Sequence, residues 1–185
     1  IEEAPQRYYP FGTMAAHLLG YVGQINQREI EMFCEYQYRI NDKIGKACIE
    51  RVAENKELDG TMLGLRGKTG VQQVEVNANN RPVRELVSIP STPGNNVKLT
   101  LNTDLQLVME EALDEVIEMV LEDNPKAGFG GAVVIDVNTG AILAMSSKPD
   151  MNSNDFVDGT YREKQDYYND PILRPEFNRV TRGTY

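Results

Sequence analysis

Gly131-Ala132-Val133-Val134-Ile135-Asp136-Val137, Asn138-Thr139-Gly140 and Ala141-Ile142-Leu143-Ala144-Met145 follow one another directly: two apolar, β-prone runs around an Asn-Thr-Gly turn, the pattern of a β-hairpin. Both runs are apolar at nearly every residue instead of alternating, so both faces of the hairpin are expected to be covered. A cover for one face lies just upstream. Leu105, Val108, Ala112, Val116 and Val120, widened by Met109, Leu113, Ile117 and Leu121, form an apolar stripe at i, i+3 and i+4 spacing. Thr103 with Gln106 reads as a capping box at its start, and Asn124-Pro125 as its stop. Glu111, Asp114, Glu115, Glu118 and Glu122 fall largely on the other side and, with no His or Cys among them, read as a solvated face. Val97, Leu99 and Leu101 read as one more strand before the helix. After Lys148, prolines 149, 171 and 175 among polar residues indicate extended irregular chain, a setting that often carries function.

Further out, the periods are shorter. Thr13 is placed to cap a short apolar helix through Leu19, ended by Gly20-Tyr21-Val22-Gly23. Asn26 with Glu29 forms a capping pair for a helix through about Tyr38, with Ile30, Phe33 and Cys34 on its buried face. A second helix is expected from about Lys46 to Asn55, with Ile49, Val52 and Ala53 inward, before Leu58-Asp59-Gly60 breaks it. Val74 and Val76, a turn at Asn77 to Asn80, and alternating Val83, Glu85, Val87 and Ile89 predict a second hairpin. Pro90, Pro93 and Gly94 mark the best domain boundary. The chain is therefore read as α+β: residues 1–96 a mixed helix/strand module, and residues 97–185 a long amphipathic helix on a β-hairpin.

Composition limits what such a chain does. A net charge of -9 argues against nucleic acid and anionic membranes, which draw their affinity from Lys and Arg. The apolar runs 15–22 and 132–137 fall short of the roughly 18 residues a membrane helix needs. Ile1, without a preceding Met or leader, is expected to lie inside a longer running sequence. Cys34 and Cys48 match no metal-ligand spacing; they read as buried apolar thiols, with a disulfide between them as the sharper alternative. His17 is the lone histidine, which excludes multi-His metal sites and favours a structural role. Asp136 and Asp150 are imaginable as paired carboxylates of an unrelated acidic enzyme, but nothing in the sequence brings them together.

These pieces, in this order, resemble the class B penicillin-binding proteins, and most closely their elongation type, often called penicillin-binding protein 2. Gly12 to Gly23 is similar to that family's Ala-Ala-His-x-x-Gly-Tyr-Val-Gly segment, and Gly45-Lys46-Ala47-Cys48-Ile49-Glu50 to its Gly-Lys-x-Gly-Ile-Glu motif. Val74 to Ala78 resembles the strand after it, Leu99 to Gln106 the start of the transpeptidase domain, and Gly131 to Met145 that domain's first hairpin. Cys48 stands where Gly is usual, Asn80 where a turn Gly is common, and Asn102 where Asp is usual. At Cys48 a Cβ would strain a positive-φ position.

The resemblance implies a peptidoglycan D,D-transpeptidase that cross-links D-Ala-D-Ala stem peptides through a serine acyl-enzyme and reacts with β-lactams. It implies a parent anchored by an N-terminal membrane helix at the extracytoplasmic face of the cytoplasmic membrane. Its partners would be a membrane glycosyltransferase and the rod-shape machinery, docked on the pedestal of residues 1–96, with no cofactor and no metal. In the family, Asn178-Arg179 with Gly183-x-Tyr185 is followed by a Pro-Gly-Ser-Thr-x-Lys run that supplies nucleophile and base. No serine in these 185 residues has a lysine at +3, so no catalytic, cofactor or metal residue is assigned and the chain alone is expected to be non-catalytic. Lys68-Thr69-Gly70 matches the letters of a later active-site motif but precedes the transpeptidase start, and is read as a loop turn. Ser153-Asn154-Asp155 is read as an accidental relative of a second motif, within a structural Asn152 to Phe156 segment. A stand-alone interaction module of the cell-wall machinery is the competing reading. Unpaired hairpin edges at Gly131 to Met145 would favour self-association.

Overall fold

The computed structural model describes residues 2–3, 5–54, 57–58, 61–62, 64–79, 81–124 and 127–184. Asn55, Asp59-Gly60, Asn80, Pro125 and Tyr185, each singled out above, lie outside the described residues. In chain order the elements are β1 (Glu2–Glu3), α1 (Ala16–Leu19), β2 (Val22–Gln24), α2 (Gln27–Met32), β3 (Lys43–Gly45), α3 (Cys48–Ala53), β4 (Glu57–Leu58) and β5 (Thr61–Met62). There follow β6 (Gly70–Val76), β7 (Pro82–Ile89), α4 (Thr103–Asp123), β8 (Gly130–Ile135), β9 (Ile142–Lys148), α5 (Ser153–Asp158), α6 (Gln165–Tyr168) and α7 (Arg179–Arg182). The strands make small antiparallel sheets: β1-β6-β7, β2-β3, β4-β5 and β8-β9. The mixed α+β class expected from the sequence is what forms.

Local polar chemistry sets most element ends. Asn26 and Glu29 make the expected capping box, each side chain accepting from the other's backbone N–H at 2.9 Å. The helix stops at Met32, not near Tyr38. A 3-10 turn at Cys34–Tyr36 and a left-handed Gln37 (φ 53) swing Tyr38 into a core with Ile25 and Ile44. Ile30 and Phe33 pack on that core, whereas Cys34 stays at the surface. Thr13 does not cap α1. Instead Ala15 is left-handed (φ 51), its N–H donates to Glu110 Oε1 at 2.9 Å, and the helix starts one residue later.

In α3 the inward face carries Glu50 and Ala53, while Val52 turns out to half exposure, the reverse of the expectation for Val52. Buried acceptors explain it. Glu50 Oε1 lies 2.9 Å from Arg7 Nε and accepts from Tyr9 OH (3.1 Å). Glu54 accepts from Tyr38 OH (3.0 Å) and from Gly45 N (2.9 Å). Gly45 is required there, since a Cβ would stand 2.3 Å from the Glu50 carbonyl group. Cys48 is left-handed (φ 49), confirming the strained position read from the motif.

The β6–β7 hairpin forms with register shifts at Gln73/Val74 and Glu75/Val76. Asn77 Oδ1 holds its turn by accepting from Asn79 N and Arg81 N, both at 3.0 Å. Its alternation does not bury a face of β7, whose residues are all exposed. Val97 to Leu101 is no strand; it is extended chain that reaches β9 through Thr100 Oγ1 to Ile142 O (2.6 Å), continued by Asn102 N to Leu143 O (2.9 Å).

Helix α4 is capped by Asn102, not Thr103: Asn102 Oδ1 accepts from Leu105 N at 3.0 Å. An Asp there would supply the same acceptor. The buried side of α4 is rotated from the expected stripe. Gln106 and Glu110 are buried, while Val108, Val116 and Val120 are 61%, 49% and 42% exposed. Gln106 goes inward because its amide completes a strand edge, accepting from Met145 N (2.8 Å) and donating to Met145 O (2.9 Å). The outer edge of β9 is thus not unpaired.

The β8–β9 hairpin turns on Asp136, whose carbonyl accepts from Gly140 N (2.7 Å) with Gly140 at φ 73. Ala144 to Ser147 are buried, but Val133 and Ile135 are 43% and 50% exposed, so one side of β8 is open where cover was expected. Beyond Lys148 the chain is not irregular. Short helices α5 to α7 alternate with turns, two of them capped by asparagines, Asn152 and Asn178. The apolar core is three small clusters: Tyr9 with Val22 and Val157, Ala16 with Met151 and Tyr168, and Ile25 with Tyr38 and Ile44. In two of them, residues before 55 meet residues after 150.

Candidate functional site

The segment entering α7 is built around Arg179. Its guanidinium, 7% exposed, donates to the carbonyls of Leu173, Phe177 and Arg174 and lies 4.8 Å from the Phe129 ring centre. Its backbone N–H donates to Ser147 Oγ (3.0 Å), and that hydroxyl donates to Phe177 O (3.3 Å). A loop is thereby tied to β9 by one cation and one hydroxyl. Asn178 caps α7, Oδ1 accepting from Val180 N (3.0 Å) and Thr181 N (3.1 Å).

His17 supports this segment from below. It is 4% exposed, and its Nε2 bonds Pro175 O at 2.6 Å. Burial holds its pKa below the ordinary value, against the upward pull of the Pro175 carbonyl and Asp150. A neutral imidazole that donates to a backbone carbonyl is the structural histidine the sequence implied. Neighbouring groups are likewise paired. Lys148 sits between Asp114 (2.8 Å) and Asp150 (2.9 Å); burial pulls its pKa down, but the two carboxylates outweigh it and the net shift is upward. Asp155 is pushed up by burial, yet Lys164 (2.8 Å), Tyr168 OH (2.7 Å) and Thr160 Oγ1 (3.0 Å) hold it below the usual carboxylate range. Burial raises Glu54 and Glu176, and raises Tyr21 to about 12.

None of the weighed alternatives assembles a reaction centre. Among the described residues no serine hydroxyl bonds a lysine ammonium. Ser147 and Ser153 serve backbone carbonyls instead, the latter Gly20 O at 2.8 Å. Asn154 of the same stretch grips Tyr9 from both sides, accepting from its N–H (2.9 Å) and donating to its C=O (2.8 Å). Lys68 is not in a free loop turn: it forms a β-bridge with Thr92, and Gly70 opens β6. Asp136 shapes its own turn through Asn138 and Thr139, and Asp150 belongs to Lys148, so the two carboxylates are not a pair. Cys34 and Cys48 are free surface thiols rather than buried or bridged; Cys48 Sγ donates to His17 O at 3.1 Å. Among the described residues no group of three or more His, Cys, Asp or Glu is arranged to hold a metal. No helix among them is long and apolar enough to cross a membrane. Sequence reasoning named Gln106, Asn154 and Asn178 but missed the backbone hydrogen bonds they make, although Asn178 stands where an N-cap would.

The comparisons agree with this arrangement. A family model described as Penicillin-binding Protein dimerisation domain matches residues 1–99. The Escherichia coli K12 protein named Peptidoglycan D,D-transpeptidase MrdA is 36% identical over 188 residues, covering 97% of this chain and 26% of that protein. A solved complex between Penicillin-Binding Protein (PBP2) and MreC from Helicobacter pylori is similar at a TM-score of 0.59 and 31% identity, over 93% of this chain and 28% of that one. A structure described as the structural coordination of polymerization and crosslinking by a peptidoglycan synthase complex gives a TM-score of 0.68 at 30% identity, over 93% and 29%. The chain belongs to the penicillin-binding proteins. Within them it is a class B member of the elongation type. It spans about a quarter of the length of the curated relatives it matches.

Proposed function

We propose that these residues belong to a peptidoglycan D,D-transpeptidase that cross-links D-Ala-D-Ala stem peptides by serine acyl transfer during cell-wall elongation. Residues 1–96 are the later part of its pedestal and residues 97–185 the start of its transpeptidase domain, with the long helix and hairpin as the first part of the catalytic sheet. The nucleophile lies outside these residues, and this stretch itself is a non-catalytic pedestal and docking module. The whole protein works at the extracytoplasmic face of the cytoplasmic membrane, held by an N-terminal helix. Its pedestal docks a membrane glycosyltransferase and the rod-shape machinery, in keeping with the solved assemblies it resembles.

The observation that carries this reading is the joint match of the family model to residues 1–99 and of the transpeptidase relative across 97% of the chain. The structure supports it by tying the 173–182 segment to β9 through Ser147 Oγ and Arg179 N, and to α1 through His17. Intact-mass analysis after exposure to a β-lactam tests both halves. The full-length natural gene product should gain one adduct, and the 185-residue chain none. An adduct on the short chain overturns its non-catalytic assignment. No adduct on the full-length product overturns the transpeptidase, leaving an interaction module of the cell-wall machinery.

A further inference from the structure

Asn178 divides its carboxamide between two duties. Oδ1 caps α7 at Val180 N and Thr181 N, while Nδ2 donates to His17 O at 3.1 Å. The same His17 carbonyl accepts from Cys48 Sγ (3.1 Å), and the His17 ring bonds Pro175 O (2.6 Å). One residue of α1 therefore holds both ends of the 175–178 turn. Helix α1 is itself fixed at both ends. Ala15 N is bound by Glu110 Oε1 of α4 (2.9 Å), and at Gly20 (φ 82) the backbone passes so close to α3 that a Cβ would stand 2.1 Å from Ala47 O. A support pinned to α3 and α4 does not yield independently of them.

Three supports hold α7 in place. The hairpin supplies Ser147 Oγ to Arg179 N, and a Cβ on Gly131 would lie 3.1 Å from Val180 Cγ2. The preceding loop supplies the carbonyls gathered by the Arg179 guanidinium. Both come from residues after 97. From the pedestal side the turn before α7 is reached by the His17 contacts, 158 and 161 residues apart in sequence, and by Tyr21, whose hydroxyl hydrogen-bonds the Glu176 carboxyl; of these only the His17 carbonyl meets Asn178, the residue that caps α7.

We infer that His17 and Asn178 are a positioning pair through which the pedestal sets the direction of α7, and with it the chain that runs on to the acylated serine. The inference rests on the transpeptidase reading above. Neither residue touches substrate. Each acts by fixing where the helix exit points, and acyl transfer is sensitive to displacements of about 1 Å, which cost on the order of a hundredfold in rate.

The substitution Asn178→Asp separates the two duties, because Asp remains a good N-cap while losing the donor that reaches His17 O. The assay is acylation of the full-length natural gene product by a fluorescent β-lactam, resolved into ligand dissociation constant and acylation rate, with a thermal unfolding scan of each variant. The acylation rate should fall about tenfold to a hundredfold with the dissociation constant held within about threefold. The unfolding midpoint should move by only a few degrees. His17→Gln, which keeps a donor for Pro175 O, should acylate near the wild-type rate, and His17→Leu should fall with Asn178→Asp. Should Asn178→Asp unfold, the His17 pair decides the matter by the same rates. Wild-type acylation in both Asn178→Asp and His17→Leu overturns the positioning role while leaving the transpeptidase intact. Absence of acylation in the wild type overturns the transpeptidase reading and this inference together.

Discussion

Gln106→Leu removes the side chain that pairs with both backbone groups of Met145 on the outer edge of β9. Gln106 is 1% exposed, and its amide meets both backbone groups of Met145, at 2.8 and 2.9 Å, while also donating to Glu110 Oε1. Leucine fills nearly the same volume, so little cavity is created and the loss is polar. Met145 N–H and C=O become buried without partners, at about 1–3 kcal/mol each. Burying the leucine side chain returns about 1.5–3 kcal/mol. The net loss is therefore about 1–3 kcal/mol, which for a chain of this length lowers the unfolding midpoint by roughly 3–10 °C. Urea unfolding followed by circular dichroism measures the loss, and amide exchange at Met145 reports its cause: that N–H should become labile while its neighbours in β9 stay protected. A Leu variant as stable as the parent, with Met145 still protected, refutes the argument that the side-chain amide stands in for a strand.

Cys48→Gly relieves a left-handed conformation worth about 1–2 kcal/mol to a residue bearing a Cβ, against about 0.5–1 kcal/mol of added chain entropy. Its urea midpoint should equal or exceed the parent's, and Cys48→Val should fall below both; the opposite order rejects the strain. Gly45→Ala places a Cβ 2.3 Å from the Glu50 carbonyl and should cost about 1–3 kcal/mol or more in the same assay. For pH, burial holds His17 below 6.5 in the fold, so the unfolded chain takes up the proton more readily. That contribution is whole above about pH 6.5 and is lost as pH falls through the folded value. Glu54 has the opposite sign: burial raises it, so its contribution is whole below about pH 4.5 and is lost as pH rises through the folded value. His17→Gln should therefore show a shallower stability decline below pH 6.5 than the parent, and an unchanged decline removes His17 from the account.

Much of the fold was legible where one period or one cap acts alone. The Asn26–Glu29 box, the two hairpins and the start of α4 within a residue all follow from short-range rules, whereas the strained Cys48 was legible only through the family motif, which has Gly there. Legibility failed where buried polar side chains displaced apolar ones. Gln106 and Glu110 took the inward face of α4 from Val108 and Val116, and Glu50 took that of α3 from Val52, because backbone groups and cations there needed acceptors and donors. Hydrophobic periodicity has no means of registering such partners, which lie far away in sequence. Helices α5 to α7 failed for a different reason: four to six residues are too few to show a period, leaving only caps such as Asn152 and Asn178 as signals.

The residues whose backbone partners were missed share one chemistry. Gln106 with Met145, Asn154 with Tyr9 and Asn178 with His17 and α7 each present a carboxamide, one acceptor and one donor, to backbone groups 39, 145 and 161 residues away. This is the pair of groups a neighbouring strand would offer, supplied by a side chain where no strand runs. The distinction matters for what holds the early residues to the segments after residue 97. Two small apolar clusters provide attraction but little direction, since dispersion and burial tolerate sliding. Hydrogen bonds near 3 Å do not tolerate it. Alignment across the molecule therefore resides in directional links, the Asn154 and Asn178 amides beside Glu110 with Ala15 N, Ser153 with Gly20 O and His17 with Pro175 O, and converting an amide to its acid removes only the donor half of its link. Loss of direction without loss of attraction is the signature to expect, with rates changed before stability, and it is sharpest at Asn178, where the acceptor half still caps the helix.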